Sequence, residues 1–385
     1  MLLLALLALP QQTQADDYTR YELLAPASAQ FRITYDVTAT APGARYYFNT
    51  IRKGSKASDE SVVDPATGGP LRFEEVDGAT ARAEGHPGAA LDTRYIKVWL
   101  PRPVPANGEV RIRIIKTYRD PASYLARGDT LVFRRSLSIR RNAVVLPAGY
   151  EVLSSNVPSQ VLSEPDGRIV ISFLNAGSDA ASLELWALPV TRAGATGRTR
   201  VTERAAQTRE IVYFLQPPET HAFDLYHDYT ETRPGVGRYL NVVRAGSRVS
   251  NPSAILLDTG EPLRVRTLRG EAITREGIDI GEPVKPESEV VVIDFPPVQP
   301  GHSTRLRIFE TYTDPVRYRL DGDELVWDRG FGRPFNAVVL PAGWTLAQSS
   351  IPGTISRTAD GRVRLDFVNP RNDEIQVLLV ARRRQ

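Results

Sequence analysis

Hydrophobic and polar residues alternate with a period of two along much of this chain. The segments 111–114, 305–308 and 362–367 place charged residues between aliphatic or aromatic ones. In a β-strand this alternation sends the apolar side chains to one face and the arginines to the other. The apolar run AVVL at 143–146 is typical of a strand covered on both faces. The pattern predicts many short strands and no amphipathic helix of ten or more residues.

Turn residues separate these predicted strands. Asp-Gly at 166–167 and again at 360–361 lies between two strand-like segments, which predicts a hairpin with a type I′ turn. Asp-Pro at 120–121 and 314–315 is predicted to end the preceding strand, because proline cannot donate a hydrogen bond to a ladder. With 29 prolines and 28 glycines in the chain, these turns favour an all-β fold.

The sequence also contains an internal duplication. The eight residues NAVVLPAG occur at 142–149 and again at 336–343. They belong to a longer match, in which 21 of 40 positions are identical between 111–150 and 305–344. A match of this length indicates that a whole domain is repeated. The predicted fold is therefore two tandem, duplicated antiparallel β-sandwich domains.

The predicted order of segments follows from the limits of the match. We expect a signal peptide, a first sandwich, a polar linker and a second sandwich, at residues 1–15, 18–188, 189–208 and 209–382. The apolar run Leu2–Leu9 is too short to span a bilayer. Small residues at Thr13 and Ala15 predict cleavage after Ala15. The chain is thus expected to be exported to the periplasm or the extracellular space, with no later transmembrane segment.

Composition and motifs exclude several classes of function. Basic and acidic residues number 48 and 45 and are interspersed, so no nucleic-acid-binding stripe is expected. The absence of cysteine excludes disulfides, thiolate zinc sites and thiol nucleophiles. No H-E-x-x-H, G-x-S-x-G or phosphate-binding loop motif is present. We therefore expect no catalytic residue, no cofactor and no metal.

Histidine offers little chemistry in this sequence. The four histidines are expected at the surface: His86, His221, His227 and His302. If His221 and His227 share one strand, they lie about 20 Å apart, which is too far to bind one metal ion.

Residues kept in both copies are first of all those that the fold requires. Three polar positions are shared: Asp120/Asp314, Arg135/Arg329 and Asn142/Asn336. We predict that the aspartates and asparagines cap local backbone donors, and that each arginine packs across the loop or pairs with a carboxylate. A ligand pocket repeated in each domain is the alternative. Trp327 replaces Phe133, and Trp344 replaces Tyr150, which predicts buried aromatic positions.

Residues present in one copy are better candidates for a binding site. The first copy carries a basic stretch with Arg134, Arg140 and Arg141, whereas Asp328 replaces one of these arginines in the second copy. Trp186 has no aromatic counterpart and is expected to face outward from a strand. We predict Arg134, Arg140, Arg141 and Trp186 as partner-binding residues for a protein or glycan.

One stretch of each copy resembles a known family. It reads TGGPLRF followed by VWLPRPVPANGEVRIRI in the first copy, and TGEPLRV followed by VVIDFPPVQPGHSTRLRI in the second. Both resemble the N-terminal β-domain of aminopeptidase-N-type metallopeptidases. The H-E-x-x-H helix of that family is missing, so the resemblance implies an accessory or docking β-sandwich and no peptidase site.

Three functional hypotheses remain at this stage. The first is an exported, non-enzymatic interaction module of the cell envelope or extracellular space. The second is a carbohydrate-binding or carbohydrate-processing protein, because a carboxylate pair is recognised only by its separation in space. The third is an accessory subunit of a metallopeptidase, which predicts a co-purifying chain that carries the zinc motif.

Overall fold

The computed structural model describes four stretches of the chain: 12, 14–177, 179–190 and 201–384. Most of the predicted signal peptide, and residues 191–200 of the predicted linker, lie outside these stretches. The backbone divides into two compact units. The first, domain 1, comprises 1–206 and 258–260, and the second, domain 2, comprises 207–257 and 261–385.

Domain 1 is built from short strands, as the alternating pattern predicts. Its strands are β1 (Gln14–Leu23), β2 (Gln30–Ala39), β3 (Tyr46–Ile51), β4 (Lys56–Val63), β5 (Phe73–Asp77), β6 (Arg94–Trp99), β7 (Val110–Arg119), β8 (Tyr124–Arg127), β9 (Thr130–Leu137), β10 (Arg141–Val145), β11 (Tyr150–Ser155), β12 (Gln160–Ser163), β13 (Ile169–Leu174) and β14 (Ala181–Pro189). The helices described are a short α-helix, α1 (Gly78–Ala83), and a 3-10 turn, Pro26–Ser28.

Three sheets make up domain 1. Seven strands form the largest in the order β12-β13-β10-β1-β2-β7-β4, and four form the second in the order β11-β14-β9-β8. The third contains β3, β6 and β5, with β6 in the centre. The pairs are antiparallel except for β1 with β10, which run parallel. This parallel pair brings β10 into the middle of the largest sheet.

Domain 2 repeats this order of elements. Its strands are β15 (Glu210–Leu215), β16 (Ala222–Glu231), β17 (Arg238–Val242), β18 (Arg248–Leu256), β19 (Glu261–Pro262), β20 (Arg264–Arg269), β21 (Glu289–Asp294), β22 (Thr304–Thr313), β23 (Tyr318–Asp321), β24 (Glu324–Phe331), β25 (Phe335–Val339), β26 (Trp344–Ser349), β27 (Thr354–Arg357), β28 (Val363–Val368) and β29 (Ile375–Arg383). The helices described are α2 (Glu271–Arg275) and a 3-10 turn, Pro218–Thr220.

The sheets of domain 2 match those of domain 1. The largest has the order β19-β18-β22-β16-β15-β25-β28-β27, and the second has the order β23-β24-β29-β26. A three-stranded sheet again has the middle strand, β21, flanked by β17 and β20. The parallel pair is repeated too, between β15 and β25. The prediction of an all-β chain with two tandem, duplicated β-sandwich domains is confirmed.

Aromatic and aliphatic side chains from facing sheets fill the interior of each sandwich. In domain 1, Phe31 of the largest sheet meets Phe133 of the four-stranded sheet with ring centroids 5.4 Å apart. In domain 2 the corresponding Phe223 and Trp327 are 4.7 Å apart and nearly perpendicular. Trp327 is fully buried and Trp344 is 6% exposed. Both tryptophans thus occupy the buried positions that the sequence predicts, and edge-to-face contacts of this kind stabilise a core.

The Asp-Gly hairpins form, but the predicted turn type is wrong. Pairing of β12 with β13 ends at Ser163 and Ile169, so the connection is longer than the two residues of a type I′ turn. Of the dipeptide, Gly167 alone has a positive φ, at 84°. Gly361 repeats this conformation with a φ of 86°. A longer loop needs the left-handed conformation at one position, where glycine adopts it without a steric penalty.

The described segments were also searched for membrane-spanning helices. None of their helices has the length and apolar character needed to traverse a lipid bilayer.

Candidate functional site

Two of the predicted partner-binding residues lie on one surface of domain 1. Arg134 belongs to β9 and Trp186 to the adjacent β14, on the side of the four-stranded sheet opposite to the core residues Phe133 and Leu185. In the register of these antiparallel strands, Arg134 is paired with Glu184, and Trp186 is paired with Val132. The period of two in both strands therefore places the arginine and the tryptophan on a common outer face.

Apolar and basic side chains surround Trp186 on this face. The indole is half-buried, and its Nε1 donates a 2.7 Å hydrogen bond to Glu184 Oε1. The Arg127 guanidinium lies 5.6 Å from the centre of the ring, within the range of a cation–π contact. On the same sheet, Leu153 and Leu188 are 56% and 37% exposed. We call this surface the outer patch: Arg127, Arg134, Leu153, Trp186 and Leu188.

The remaining two predicted residues have different surroundings. Arg140 is exposed in the connection between β9 and β10. Arg141, in contrast, is 3% exposed, donates from Nη1 to the Ala205 carbonyl at 3.0 Å, and packs over the Tyr18 ring. The expectation that Arg141 belongs to a solvated basic loop is therefore wrong. Residue 141 begins β10, a central strand whose five residues are all buried.

The expectation of surface histidines is also wrong for one of the four. His227 is 5% exposed in β16, and burial, with Arg333 and Arg209 nearby, holds its pKa well below the usual range. His221 lies outside any strand, at the end of a 3-10 turn with a φ of 53°. The two residues therefore do not share a strand. Among the described residues, no three His, Asp or Glu side chains come together in a way that would hold a metal ion.

The polar residues shared by both copies form an equivalent network in each domain. Asp120 Oδ1 accepts the Ser123 backbone N–H, and its Oδ2 accepts Arg135 Nη1 at 3.2 Å. Asp314 repeats the arrangement and accepts Arg329 Nη1 at 3.4 Å. Both aspartates and both arginines are at most 9% exposed. The predicted pairing of arginine with a carboxylate is confirmed.

The predicted role of the shared asparagines as caps of backbone N–H groups is wrong. Asn142 Nδ2 donates to the Ile139 carbonyl, and Asn336 Nδ2 donates to the Arg333 carbonyl, each at 2.8 Å. The side chains therefore stabilise the local loop as donors to a carbonyl instead of as caps of backbone N–H groups. The contact fixes the same bend before the buried strand in both domains.

A buried lysine occupies the interior of domain 1. Lys116 is 4% exposed and lies on the core-facing side of β7, where its Nζ donates to Asn49 Oδ1 of β3. The same ammonium lies 4.8 Å from the centre of the Tyr118 ring. Among the described residues it forms no ion pair. Burial, with Arg135 nearby, lowers the pKa of Lys116 to about 7.

A glutamate occupies the equivalent position in domain 2. Glu310 is 4% exposed, and both of its carboxylate oxygens accept from Asn241 Nδ2, at 2.8 and 2.7 Å. Asn241 and Tyr312 correspond in the repeat to Asn49 and Tyr118. Burial raises the pKa of Glu310 to about 7. The neighbouring asparagine and tyrosine are thus common to both copies. The charge of the buried side chain is positive for a lysine in domain 1 and negative for a glutamate in domain 2.

The surroundings of this position also differ between the domains. In domain 2, Glu374 Oε1 accepts Arg244 Nη2 at 2.9 Å. Its other oxygen lies only 2.4 Å from where a Cβ on Gly330 would stand, so a side chain at 330 would displace it. At the corresponding positions domain 1 has Ala180 for Glu374 and Ser136 for Gly330. Domain 1 therefore lacks the carboxylate that pairs with the arginine of domain 2.

An open cavity of about 380 Å³ lies beside Lys116 in domain 1. Its polar lining includes the hydroxyl-bearing side chains of Tyr35, Tyr47 and Tyr118. Tyr47 donates a 2.7 Å hydrogen bond to Gln14 Oε1 and lies 3.4 Å from the Tyr35 hydroxyl. The apolar residues of the lining include Ile33, Leu137 and Ile139, and further polar residues complete it. A cavity in which apolar and polar groups converge is typical of a small-molecule site.

Sequence reasoning passed over Lys116 and Glu310, although the signal was present. In RIRIIKTYR the residues Ile112, Ile114, Lys116 and Tyr118 fall on one face of the strand, and the first two are clearly core residues. A period of two therefore places the lysine among buried side chains. The second copy repeats the pattern with a glutamate, which marks the position as specific to each copy.

No family model and no curated protein matches the chain. Solved structures share parts of the fold. An M1 zinc metallopeptidase from Deinococcus radiodurans is 12% identical, with 47% of this chain and 43% of that chain covered and a TM-score of 0.32. For an aminopeptidase N family protein from Idiomarina loihiensis, the identity is 9%, the coverage is 45% and 29%, and the TM-score is 0.28.

A collagen adhesin from S. aureus aligns over more of the chain. It is 9% identical, covers 83% of this chain and 84% of its own, and has a TM-score of 0.19. Two of these three structures are M1-type peptidases, the family that the sequence motifs resemble, and this chain spans less than half of either. With TM-scores of 0.32 or less, the likenesses say nothing about what this chain binds.

Proposed function

We propose that this chain is an exported, non-enzymatic β-sandwich protein that acts as an interaction module of the cell envelope or extracellular space. The observation that carries the proposal is the outer patch of domain 1. Trp186 and Arg134 share this face with two exposed leucines, and aromatic and arginine side chains are the residues that most often dominate the energy of a protein interface.

The residues of the patch differ between the two copies. Arg127 and Arg134 are replaced in domain 2 by Asp321 and Asp328, and Trp186 is replaced by Val380. The basic and aromatic character is therefore specific to domain 1 and is not required by the shared fold. We propose an acidic protein segment as the occupant, with Arg134 and Trp186 as contacts and Arg140 adding charge at long range. Arg141 is not part of this surface because it is buried.

The experiment is capture of envelope proteins with the exported chain as bait, repeated with variants of the patch. Arg134→Glu and Trp186→Ala are each expected to weaken a specifically bound protein by at least about tenfold, which is the ordinary effect of a contact residue worth more than about 1.4 kcal/mol. Moderate salt is expected to release the partner. The matched controls in domain 2, Asp328→Ala and Val380→Ala, are expected to have no effect.

Other outcomes would reject the proposal. Binding that survives both patch variants would show that a different surface is used. If the captured protein carries a zinc-binding H-E-x-x-H motif and is lost with the patch variants, this chain is an accessory subunit of a metallopeptidase.

A carbohydrate partner is the second candidate, and the half-buried Trp186 ring is the observation that favours it. Sugar rings stack on exposed indole faces, so a glycan array with the exported chain is the direct test. Specific binding of one polysaccharide, lost in Trp186→Ala and kept in Arg134→Glu, would replace the acidic protein by a glycan. Absence of binding across the array would remove this candidate.

Export itself is tested at the N-terminus. The predicted cleavage after Ala15 falls after the second residue of β1, because that strand begins at Gln14. Mass spectrometry of the protein recovered from the periplasm or medium is expected to give Asp16 as the first residue. Retention of the uncleaved chain in the cytoplasm would contradict the exported form of the proposal.

A further inference from the structure

The cavity beside Lys116 has features that the shared fold does not require. Its equivalent position in domain 2 holds the carboxylate of Glu310, and a glutamate, Glu374, neutralises the nearby Arg244. In domain 1 both carboxylates are replaced, by Lys116 and Ala180. The asparagine and the tyrosine beside the position are kept in both copies, as Asn49/Asn241 and Tyr118/Tyr312. This side of domain 1 has therefore exchanged acidic groups for a buried amine.

The hydrogen bonding of Lys116 is incomplete among the described residues. A lysine ammonium has three donor positions, and Asn49 Oδ1 takes one of them. No carboxylate of the described residues lies within ion-pair distance of Nζ. A buried cation with unused donors is costly unless an anion or another acceptor reaches it. The cavity is the space from which such an acceptor can approach.

The arginine at the cavity has no partner carboxylate either. Arg52 lines the cavity and corresponds to Arg244 of domain 2, whose carboxylate partner is Glu374. In domain 1, no described carboxylate pairs with the exposed Arg52 side chain. The cavity is thus lined by two cationic side chains, Lys116 inside and Arg52 toward solvent. Neither forms an ion pair with a carboxylate of the described residues.

We propose that the cavity of domain 1 binds a small organic carboxylate, with its carboxyl group at Lys116 and its apolar body against Ile33, Leu137 and Ile139. This site is separate from the outer patch and does not depend on it. An organic acid would use both kinds of lining, because its carboxyl group would meet Lys116 while its apolar body would meet Ile33, Leu137 and Ile139. One buried amine matches one carboxylate charge.

Binding is expected to depend on pH. The carboxylate is stabilised by the protonated amine, so the ligand favours the form of Lys116 that carries the proton. The other charged or titratable groups near Lys116 lie on several elements: Tyr21 on β1, Tyr35 on β2, Tyr47 on β3, Arg52 directly after β3, Glu60 on β4, Tyr118 on β7 and Arg135 on β9. Glu60 favours the charged lysine and Arg135 disfavours it, and burial outweighs both. His86, at the cavity wall, has its pKa lowered by burial.

The sign of this dependence follows from linkage. With a pKa of about 7 in the free protein, Lys116 is charged at pH 6 and neutral at pH 9. The affinity for a carboxylate is therefore highest at pH 6 and falls by about tenfold for each pH unit once the amine is neutral. Binding at pH 9 is expected to take up a proton, because the ligand raises the pKa of Lys116.

Calorimetric titration of the full chain with acetate, hexanoate and benzoate tests the proposal, with hexanamide and benzamide as neutral controls. Benzoate or hexanoate is expected to bind at millimolar concentration or below at pH 6, and about a hundredfold more weakly at pH 9. The amides are expected not to bind. Lys116→Met, which replaces the amine by an apolar chain of similar length, is expected to abolish both the binding and its pH dependence.

Two further measurements keep the result independent of folding. The domain 2 variant Glu310→Gln is expected to bind benzoate like the parent chain. Carbon-13 labelling of the lysine side chains gives a direct readout, because the chain has only five lysines: Lys53, Lys56, Lys97, Lys116 and Lys285. One resonance is expected to titrate near neutral pH and to shift when benzoate is added. Equal binding of benzamide, binding that survives in Lys116→Met, or no binding of any of the three acids would overturn the proposal.

Discussion

The two domains carry opposite charges at one equivalent buried position. Lys116 and Glu310 stand at the same point of the repeat, each is buried, and each is hydrogen-bonded to an equivalent asparagine of the neighbouring sheet, Asn49 or Asn241. A duplication first produces two identical sites, so a reversal of charge inside a preserved frame arose after the copying. Residues kept in both copies are those that the fold requires, and residues that differ between the copies are candidates for a function of one domain.

The shared network is the part of the comparison that we expect to be structural. Asp314 is fully buried and satisfies Arg329, Ser247 and a backbone N–H together. Asp314→Ala would leave the Arg329 guanidinium buried without its carboxylate, so a loss of about 3–5 kcal/mol in the unfolding free energy of domain 2 is expected. Urea denaturation followed by hydrogen exchange of each domain measures this loss.

Asp120→Ala is the matched variant in domain 1. Because Asp120 makes the same contacts with Arg135, Ser55 and Ser123, a loss of similar size is expected there. A loss below about 1 kcal/mol in both domains would show that the network is not a structural requirement. A large loss of unfolding free energy in one domain alone would indicate that the two networks have the same geometry but contribute differently to stability.

The buried charges are expected to give the two domains opposite responses to pH. The pKa of Lys116 is about 7 in the folded protein, against a usual value of 10.5 for a lysine side chain. Between these values the unfolded chain binds the proton, so the stability of domain 1 rises as the pH increases from 7 to 10.5. Glu310 has a pKa of about 7 against 4.5. Between those values the folded chain binds the proton, so the stability of domain 2 falls as the pH increases from 4.5 to 7.

Each slope is at most about 1.4 kcal/mol per pH unit, the limit for one proton. Denaturation at a series of pH values, with the two domains resolved by hydrogen exchange, measures both slopes. Lys116→Met is expected to flatten the response of domain 1 and leave that of domain 2, and Glu310→Gln is expected to do the reverse. If the two variants leave both slopes unchanged, other groups carry the pH dependence.

The sequence predicts the fold well because its information is local and repeated. The alternation of Ile112 and Ile114 with arginine gives the strand, and the same alternation could have given the inward direction of Lys116. It could not give the partner of Lys116, because Asn49 lies 67 residues away on another sheet. That contact depends on which sheets face each other, which no short-range pattern records.

The burial of Arg141 could not be predicted for a similar physical reason. A run of charged residues suggests a solvated loop, but residue 141 begins a strand that pairs on both sides, with β1 and β13. The parallel pairing with β1 joins segments more than a hundred residues apart and cannot be read from the basic run itself. Arg134 is exposed because buried and exposed residues alternate in its own strand from Phe133 to Leu137.

Substitutions of the hairpin glycines are expected to cost the two domains similar amounts of stability. Gly167 and Gly361 both have positive φ, and a Cβ at either position would meet no atom within 4 Å. The cost of alanine is therefore conformational, about 1–2 kcal/mol in each domain. Asparagine tolerates this conformation better, so Gly167→Asn and Gly361→Asn are expected to cost less than the alanine variants in thermal denaturation. A cost for alanine that differs by more than about 1 kcal/mol between domains would mean that the loops have diverged.

The smallest expected effect concerns Glu374, which stands where domain 1 has Ala180. The Arg244–Glu374 pair is partly exposed, at 34% and 49% of the two side chains, so Glu374→Ala is expected to cost less than about 1 kcal/mol and still less at high salt. Gly330→Ser introduces the residue that domain 1 has at this position. Its Cβ would meet the flexible end of Glu374, which can move away only by giving up its contact with Arg244.

The two substitutions are therefore expected to be non-additive. Gly330→Ser should cost more in the parent chain than in Glu374→Ala, where the space is free, and a double-mutant cycle in urea measures the difference. The combined variant reproduces the serine and alanine of domain 1 in domain 2. If the costs add, Glu374 does not fill the space above Gly330 in solution.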